Sequence, residues 1–290
     1  MLTVFFNMVS KNEICVIIPI YEENLTDYEI QSVQQCINIL NNYKIIFITY
    51  KNLDLDFYKL KFPSIVDFVF FDEIYFKGLK GYNRLMVSSF FYKEFSQYKY
   101  MLIYQTDCYV FKDKLLEWAN KGYDYIGGIW YEGFHGNPDF GAKFWCACNG
   151  GMSLRNINAI IQVLTSKKRL KTYRQLLEEK KIKRNDQIIK TIKKLTLFFF
   201  QCFRCKNNAH FYAETFSNNE DVFFAEMYLK YNLIKIPKVE DALLFAWDRR
   251  PDFLFDNLGE LPFGCHAWFR TDVPYEGNKV FWLKIINEIK

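Results

Sequence analysis

Residues Glu13 to Tyr21 read Glu-Ile-Cys-Val-Ile-Ile-Pro-Ile-Tyr, an unbroken apolar run rich in β-branched side chains. A strand with one face in water alternates polar and apolar residues. A run without alternation is a strand buried on both faces, which calls for a parallel sheet with helices on either side. The next segments keep to that plan. Asp27 is placed to cap a helix through about Asn42, with Ile30, Val33, Ile37 and Leu40 on one stripe. Lys44 to Tyr50 and Val66 to Phe71 are further strands, and Gly81 precedes a helix over Tyr82 to Phe95. Tyr100 to Tyr104 returns as a strand that runs into Gln105-Thr106-Asp107. Strands alternating with helices predict an α/β fold built on a Rossmann-like, mainly parallel sheet flanked by helices.

Downstream the alternation loosens. Tyr123 to Trp130 is strand-like, and Asn149-Gly-Gly-Met-Ser-Leu-Arg155 reads as a glycine turn entering a polar helix start. Asn219-Glu-Asp-Val-Phe-Phe-Ala-Glu226 opens another helix. No internal repeat or low-complexity linker divides the 290 residues. The chain is therefore expected to be one domain, 1–290, carrying a basic helical insertion at about 160–212. Charge marks the insertion: Thr165 to Lys206 holds 14 Lys and Arg against 3 Asp and Glu, a net +11, which leaves −6 on the rest of a +5 chain.

Eight cysteines suggest a disulfide framework only in a secreted chain. The N-terminus lacks a basic region followed by an apolar run and a small-residue cleavage site, so the expected location is a reducing cytoplasm with most thiols as small core residues. No apolar run approaches the ~20 residues of a spanning helix. Half of the residues are hydrophobic and 19% aromatic, enough for a large core but no guide to a ligand.

In open parallel sheets, ligands bind beyond the carboxyl ends of the strands. Asp107 lies at such an end, where a carboxylate either caps the next turn or holds a divalent cation against a diphosphate. Three later segments add chemistry in order: Asn149-Gly150-Gly151-Met-Ser153-Leu-Arg155, Asn219-Glu220-Asp221-Val-Phe, and Pro262-Phe-Gly-Cys-His266-Ala-Trp268. Singly each has a plain alternative: a turn needing positive φ, acids complementing a helix dipole, a histidine satisfied in the core.

Taken in sequence, these pieces resemble the GT-A glycosyltransferases, and more closely a bacterial family long labelled only as a domain of unknown function and found among surface-polysaccharide genes. The resemblance covers roughly Lys80 to Trp268, with Ile14 to Tyr21 matching the first nucleotide-binding strand. It implies a GT-A-like fold and transfer of a sugar from a nucleotide-sugar donor, a UDP-sugar being favoured, to a glycan or lipid-linked glycan acceptor in surface polysaccharide or glycoconjugate synthesis. Asp107 stands where the last aspartate of the Asp-x-Asp metal motif would be, and His266 where a histidine closes the metal shell. The expected cofactor is a divalent cation, Mn²⁺ or Mg²⁺. Gln105 occupies the first acidic position, so it offers hydrogen bonds to a hydroxyl but no charge, and the metal is held more weakly than by two carboxylates. Asn149, Gly150 and Gly151 resemble the turn beside the donor sugar, with Ser153 and Arg155 adding hydrogen bonds. Glu220-Asp221 resembles the acidic pair of inverting enzymes, with Asp221 favoured as base and Glu220 binding donor or acceptor, an assignment open to exchange. Tyr21 is placed to stack on the nucleobase, and Asn83 and Arg84 to reach the ribose or phosphates.

The basic insertion and the greasy Leu195 to Phe203 together suit docking on the anionic inner face of the cell membrane, or else a solvated helix with its aromatics in the core. No nucleic-acid reading motif accompanies the charge, and no nucleic-acid partner is expected. Cys202-x-x-Cys205, His210 and Cys146-x-Cys148 fit no structural zinc class well. A rival to the enzyme is a catalytically silent nucleotide-sugar or carbohydrate-binding protein, for which Gln105 speaks. A membrane-surface scaffold is a third reading.

Overall fold

The computed structural model describes residues 8–65, 67–132, 143–179, 206–272, 275 and 277–289, with isolated helical positions at 192, 194–196, 198 and 199. Six strands form the central sheet: β1 (Ile14–Pro19), β2 (Lys44–Tyr50), β3 (Phe68–Phe71), β4 (Tyr100–Tyr104), β6 (Tyr125–Tyr131) and β7 (Phe144–Asn156). A small second sheet holds β5 (Tyr109–Val110), β8 (Ala246–Trp247) and β9 (Gly264–Cys265). The order of the large sheet is β3-β2-β1-β4-β7-β6. β3, β2, β1 and β4 run parallel, and β7 is antiparallel to both β4 and β6. The fold is thus mixed α/β on a mainly parallel sheet flanked by helices.

Every residue of β1 and β4 is buried, as an unalternating apolar run requires. From β1 the chain steps outward to β2 and β3, then crosses back to lay β4 on the other side of β1. The strand order reverses between β1 and β4, and the carboxyl ends of those two strands open a crevice.

Several local expectations change. Thr26, not Asp27, caps the first helix (Asp27–Ile39) through a reciprocal capping box with Glu29. The stretch expected as one helix over Tyr82 to Phe95 is two helices, Gly78–Met86 and Ser89–Glu94, broken at Val87 and Ser88. Gly81 lies inside the first of these rather than before it, and a Cβ there would meet the Ile74 carbonyl oxygen at 2.4 Å, so the position takes a glycine for close packing. Asn149 to Arg155 is the interior of β7, not a turn, and the following helix starts at Ile157 under an Asn156 cap. β7 bulges against β6 around Gly127 and Gly128, where a Cβ on Gly127 would run into the Asn149 backbone.

Cys15, Cys36, Cys108 and Cys265 are free, buried core residues. Cys146 and Cys148 lie close together and buried on β7; Cys202 and Cys205 lie outside the described residues. Of the basic insertion, the helix Tyr173–Glu179 is described, along with exposed Ile192, Leu195 and Phe199; 180–191 and 200–205 lie outside. Among the described residues no helix is long and apolar enough to cross a membrane.

Candidate active site

The small sheet gathers the acidic and imidazole groups at one of its ends. Asp107 precedes β5, Asp248 follows β8, and His266 follows β9. β9 is parallel to β8 and antiparallel to β5, so the start of β5 and the ends of β8 and β9 coincide. Asp107 Oδ1 lies 3.3 Å from His266 Nε2, and His266 Nδ1 donates to Asp248 Oδ1 at 2.7 Å. Gln105 Oε1 is 3.2 Å from the same Nε2. Ala267 adopts a left-handed backbone, φ 54°, which turns the chain so that the Trp268 N–H donates to the Asp107 carbonyl at 3.2 Å. The buried Asn278 amide donates to the Asp248 carbonyl at 2.9 Å and to the Ala267 carbonyl at 3.4 Å, tying both loops together.

Electrostatics follow from burial and pairing. Burial drives the Asp107 carboxyl upward, but the adjacent His266 and Arg270 outweigh it and hold the carboxyl below its ordinary value. Burial likewise presses the His266 imidazole down, and the Asp107 and Asp248 carboxylates overcome this and raise it to about 10.

The Asp107-His266 pair opens onto the crevice between β1 and β4, a cleft of about 360 Å³, within the range of ligand pockets. Tyr21, Tyr75, Phe76, Tyr82 and Phe269 give it aromatic walls; Gln105, Asp107 and Arg270 supply polar groups. Arg270 is the one cation lining the cleft among the described residues, and it also pairs with Asp272 at 2.6 Å. The buried Tyr82 hydroxyl is oriented toward Gln105 but has no hydrogen-bond partner among the described residues. An orphaned hydroxyl in a cleft wall is a place for a ligand's polar atom.

A divalent cation fits this geometry as a partial site. Two ligand atoms at right angles around Mg²⁺ or Mn²⁺ stand about 3 Å apart, close to the Asp107-His266 and Gln105-His266 separations. Asp248 would fix the imidazole through its other nitrogen, the usual support of a metal-bound histidine. Among the described residues no three His, Cys, Asp or Glu side chains converge on one point. A cation held here would take two ligand atoms from the protein and the remaining ones from substrate and water.

The other sequence candidates are placed differently. Tyr21 lines the cleft and is 53% exposed. Asn149 is buried and accepts from the Gly151 N–H at 2.9 Å. Gly150 and Gly151 face opposite sides of β7 and make room for protein groups: a Cβ on Gly151 would lie 2.2 Å from the His266 ring, and one on Gly150 2.2 Å from Glu220 Oε1. Ser153 is fully buried, donating to the Gly150 carbonyl and accepting from Arg155 Nε. Arg155 is also fully buried and reaches Glu220 Oε1 at 3.2 Å and the Tyr92 hydroxyl at 2.8 Å. Glu220 and Asp221 open the helix Glu220–Leu229 and are buried behind Gly150. Asp221 accepts from the Gly150 N–H at 3.2 Å and the Val222 N–H at 2.8 Å. Burial first, and the Glu220 charge second, push the Asp221 carboxyl well above the usual carboxylate range. Neither acid lines the Asp107 cleft. Asn83 accepts from the Glu220 N–H and donates to Asn219, and with Arg84 it borders a second cavity.

The model of one protein family, described as "Protein of unknown function (DUF5672)", matches residues 65–266, a span that holds Asp107, Asp221 and His266. The chain belongs to the DUF5672 family. No curated protein matches it. Among solved structures, this DUF5672 member is distantly similar to mouse xyloside xylosyltransferase 1 in its apo form, at 8% identity and a TM-score of 0.48, over 91% of this chain and 100% of that one. The mannosyltransferase Ktr4p from S. cerevisiae matches at 12% identity and a TM-score of 0.40, over 76% and 66% of the two chains. PaToxG glycosyltransferase matches at 14% and 0.30, over 76% and 86%.

Sequence reading missed Asp248, Arg270 and Tyr82 in the site. Asp248 follows the short apolar run Phe245-Ala-Trp247, the same strand-then-carboxylate arrangement that singled out Asp107. Arg270 and Tyr82 carry no comparable local mark.

Proposed function

We propose that this protein is a glycosyltransferase that moves a sugar from a nucleotide-sugar donor, a UDP-sugar by preference, to a glycan or lipid-linked glycan acceptor. The observation that carries the reading is the Asp107-His266 pair, 3.3 Å apart and braced by Asp248, at the mouth of an aromatic-walled cleft on the reversal point of the sheet. Tyr21 is suited to stack on the nucleobase. Arg270 neutralises charge on the diphosphate, and Tyr82 donates its unsatisfied hydroxyl. A divalent cation bound by Asp107 and His266 would lower the energy of the departing nucleoside diphosphate.

The transfer is a single displacement with inversion. The acceptor oxygen forms a bond to the anomeric carbon as the bond from that carbon to the diphosphate oxygen breaks. The acceptor proton passes to the carboxylate of Asp221, whose raised affinity for protons suits a general base near neutral pH. Glu220, paired with Arg155, raises the proton affinity of the base through its charge. Membrane docking through the basic insertion belongs to this reading as the route to a lipid-linked acceptor.

Incubation with a panel of nucleotide sugars and Mn²⁺ tests it. Slow donor hydrolysis, lost in Asp107→Ala, is the expected result. A second reading is favoured by the position of Asp221, outside the cleft lining with both oxygens taken by backbone N–H groups: a nucleotide-sugar-binding protein without turnover. Tight donor binding with no hydrolysis or transfer under any acceptor would select it.

A further inference from the structure

The helix Gly78–Met86 contributes to the linings of two cavities. Tyr82 faces the Asp107 cleft, while Lys80, Asn83 and Arg84 face a second cavity of about 510 Å³, and Tyr75 lines both. Lys77, on the same segment, is paired with Glu73. Lys80 and Arg84, one helical turn apart, have no hydrogen-bond or ion-pair partner among the described residues. The only carboxylate lining this cavity among the described residues is Glu214, which lies 3.4 Å from His210. Two cations against one carboxylate leave the wall net positive, and the rest of it includes hydroxyls, such as Ser89 and Ser217, aromatic rings, Phe90 and Phe216, and the aliphatic Val87, Leu164 and Ala213.

That combination has a chemical meaning. Hydroxyl and amide groups meet sugar hydroxyls, ring faces meet the apolar faces of a pyranose, and paired cations meet a phosphate through charge-assisted hydrogen bonds. Two contacts link the cavity to the rest of the molecule. Asn83 on its wall accepts from the Glu220 N–H, at 3.4 Å, beside the proposed base. Leu164 and His210 on its rim flank the roots of the +11 segment, which are held together by the Arg169-Asn208 bridge and a 3.1 Å hydrogen bond from His210 N–H to the Ser166 carbonyl.

We propose that this cavity is the acceptor site and that the acceptor is a sugar carried on a phosphate or diphosphate ester, its anionic group lying on Lys80 and Arg84. The acceptor role rests on the glycosyl-transfer reading; the anion site stands or falls by itself. The test uses one hexosamine in three forms: octyl-diphosphate-linked, as the soluble 1-phosphate, and as the neutral octyl glycoside. Binding is measured with the Asp107 cleft saturated by UDP and Mn²⁺. Wild type is expected to bind both phosphorylated forms at least tenfold tighter than the neutral glycoside, and Lys80→Ala/Arg84→Ala to lose that preference while binding UDP within twofold of wild type. Preference for the octyl-diphosphate form over the 1-phosphate assigns a lipid carrier; equal binding assigns a soluble sugar phosphate. Equal affinity for the neutral glycoside in wild type, or a preference that survives the double substitution, overturns the anion site. In turnover, the variant is expected to raise KM for the phosphorylated acceptor at least tenfold with kcat kept. If the binding preference is found but no donor supports transfer to any form, the acceptor role and the glycosyl-transfer reading fall and the anion site remains. If transfer occurs without the preference, the anion site alone is lost.

Discussion

The ring of His266 occupies the space that a side chain on Gly151 would fill, with Cδ2 2.2 Å and Nε2 2.3 Å from an added Cβ. The glycine sits in a strand whose φ is ordinary, so its role is close approach and not backbone freedom. Gly151→Ala has to displace the imidazole from Asp107. Donor hydrolysis should fall by about 100-fold, the scale of a misplacement of roughly 1 Å, while thermal unfolding shows a folded protein. Unchanged activity would mean that His266 has no part in the chemistry.

Asp248 holds the other face of the imidazole. Asp248→Asn keeps the size of the side chain but can no longer stabilise positive charge on the ring or enforce the same tautomer. Loss of such a supporting carboxylate costs about 10–100-fold in metal affinity. Titration with Mn²⁺ in the presence of UDP, followed calorimetrically, checks this; an affinity within twofold of wild type would contradict it.

Arg155 and Glu220 form a fully buried ion pair at 3.2 Å that also satisfies Ser153, Tyr92 and the Gly150 carbonyl. Removing one partner leaves a buried charge without compensation, at a cost of about 3–5 kcal/mol. Arg155→Met should therefore destabilise strongly in urea unfolding. Arg155→Met combined with Glu220→Gln should recover much of that loss, because the stranded charge is gone.

The Asp221 carboxyl is raised by burial and by the neighbouring Glu220 charge. A base must be ionised, so transfer should rise with pH along a limb whose midpoint lies above the ordinary carboxylate range. Glu220→Gln removes a like charge and leaves Arg155 unneutralised beside the site; both changes favour ionised Asp221 and should move the midpoint downward. A limb that stays in place, measured as kcat against pH, would show that Asp221 is not the titrating group.

Much of the sheet was legible because burial on both faces leaves a one-dimensional trace: Lys44–Tyr50 and Tyr100–Tyr104 are strands with the bounds read from their apolar runs. β7 was not, since Asn149-Gly150-Gly151 has the composition of a turn, and the glycines answer to groups more than sixty residues away in sequence. The order of Asp107, Glu220-Asp221 and His266 identified residues that the fold does draw toward β7, but it could not separate the side of that strand facing His266 from the side where Arg155 and Glu220 are buried. Asp248 carries only the faint mark of a carboxylate after a three-residue apolar run, and its significance lies in the pairing of β8 with β9, two-residue strands that carry no periodicity.

The central claim is that Asp107 and His266 form half of a cation site whose other half is a nucleoside diphosphate. Neither ligand then binds well without the other, and coupling of this kind is reciprocal. The decisive measurement is the affinity of UDP with and without Mn²⁺, in wild type and in Asp107→Ala. The account predicts at least tenfold tighter UDP binding with Mn²⁺ in wild type and no such gain in the variant. UDP binding that is absent altogether, or indifferent to Mn²⁺ in both proteins, would contradict it.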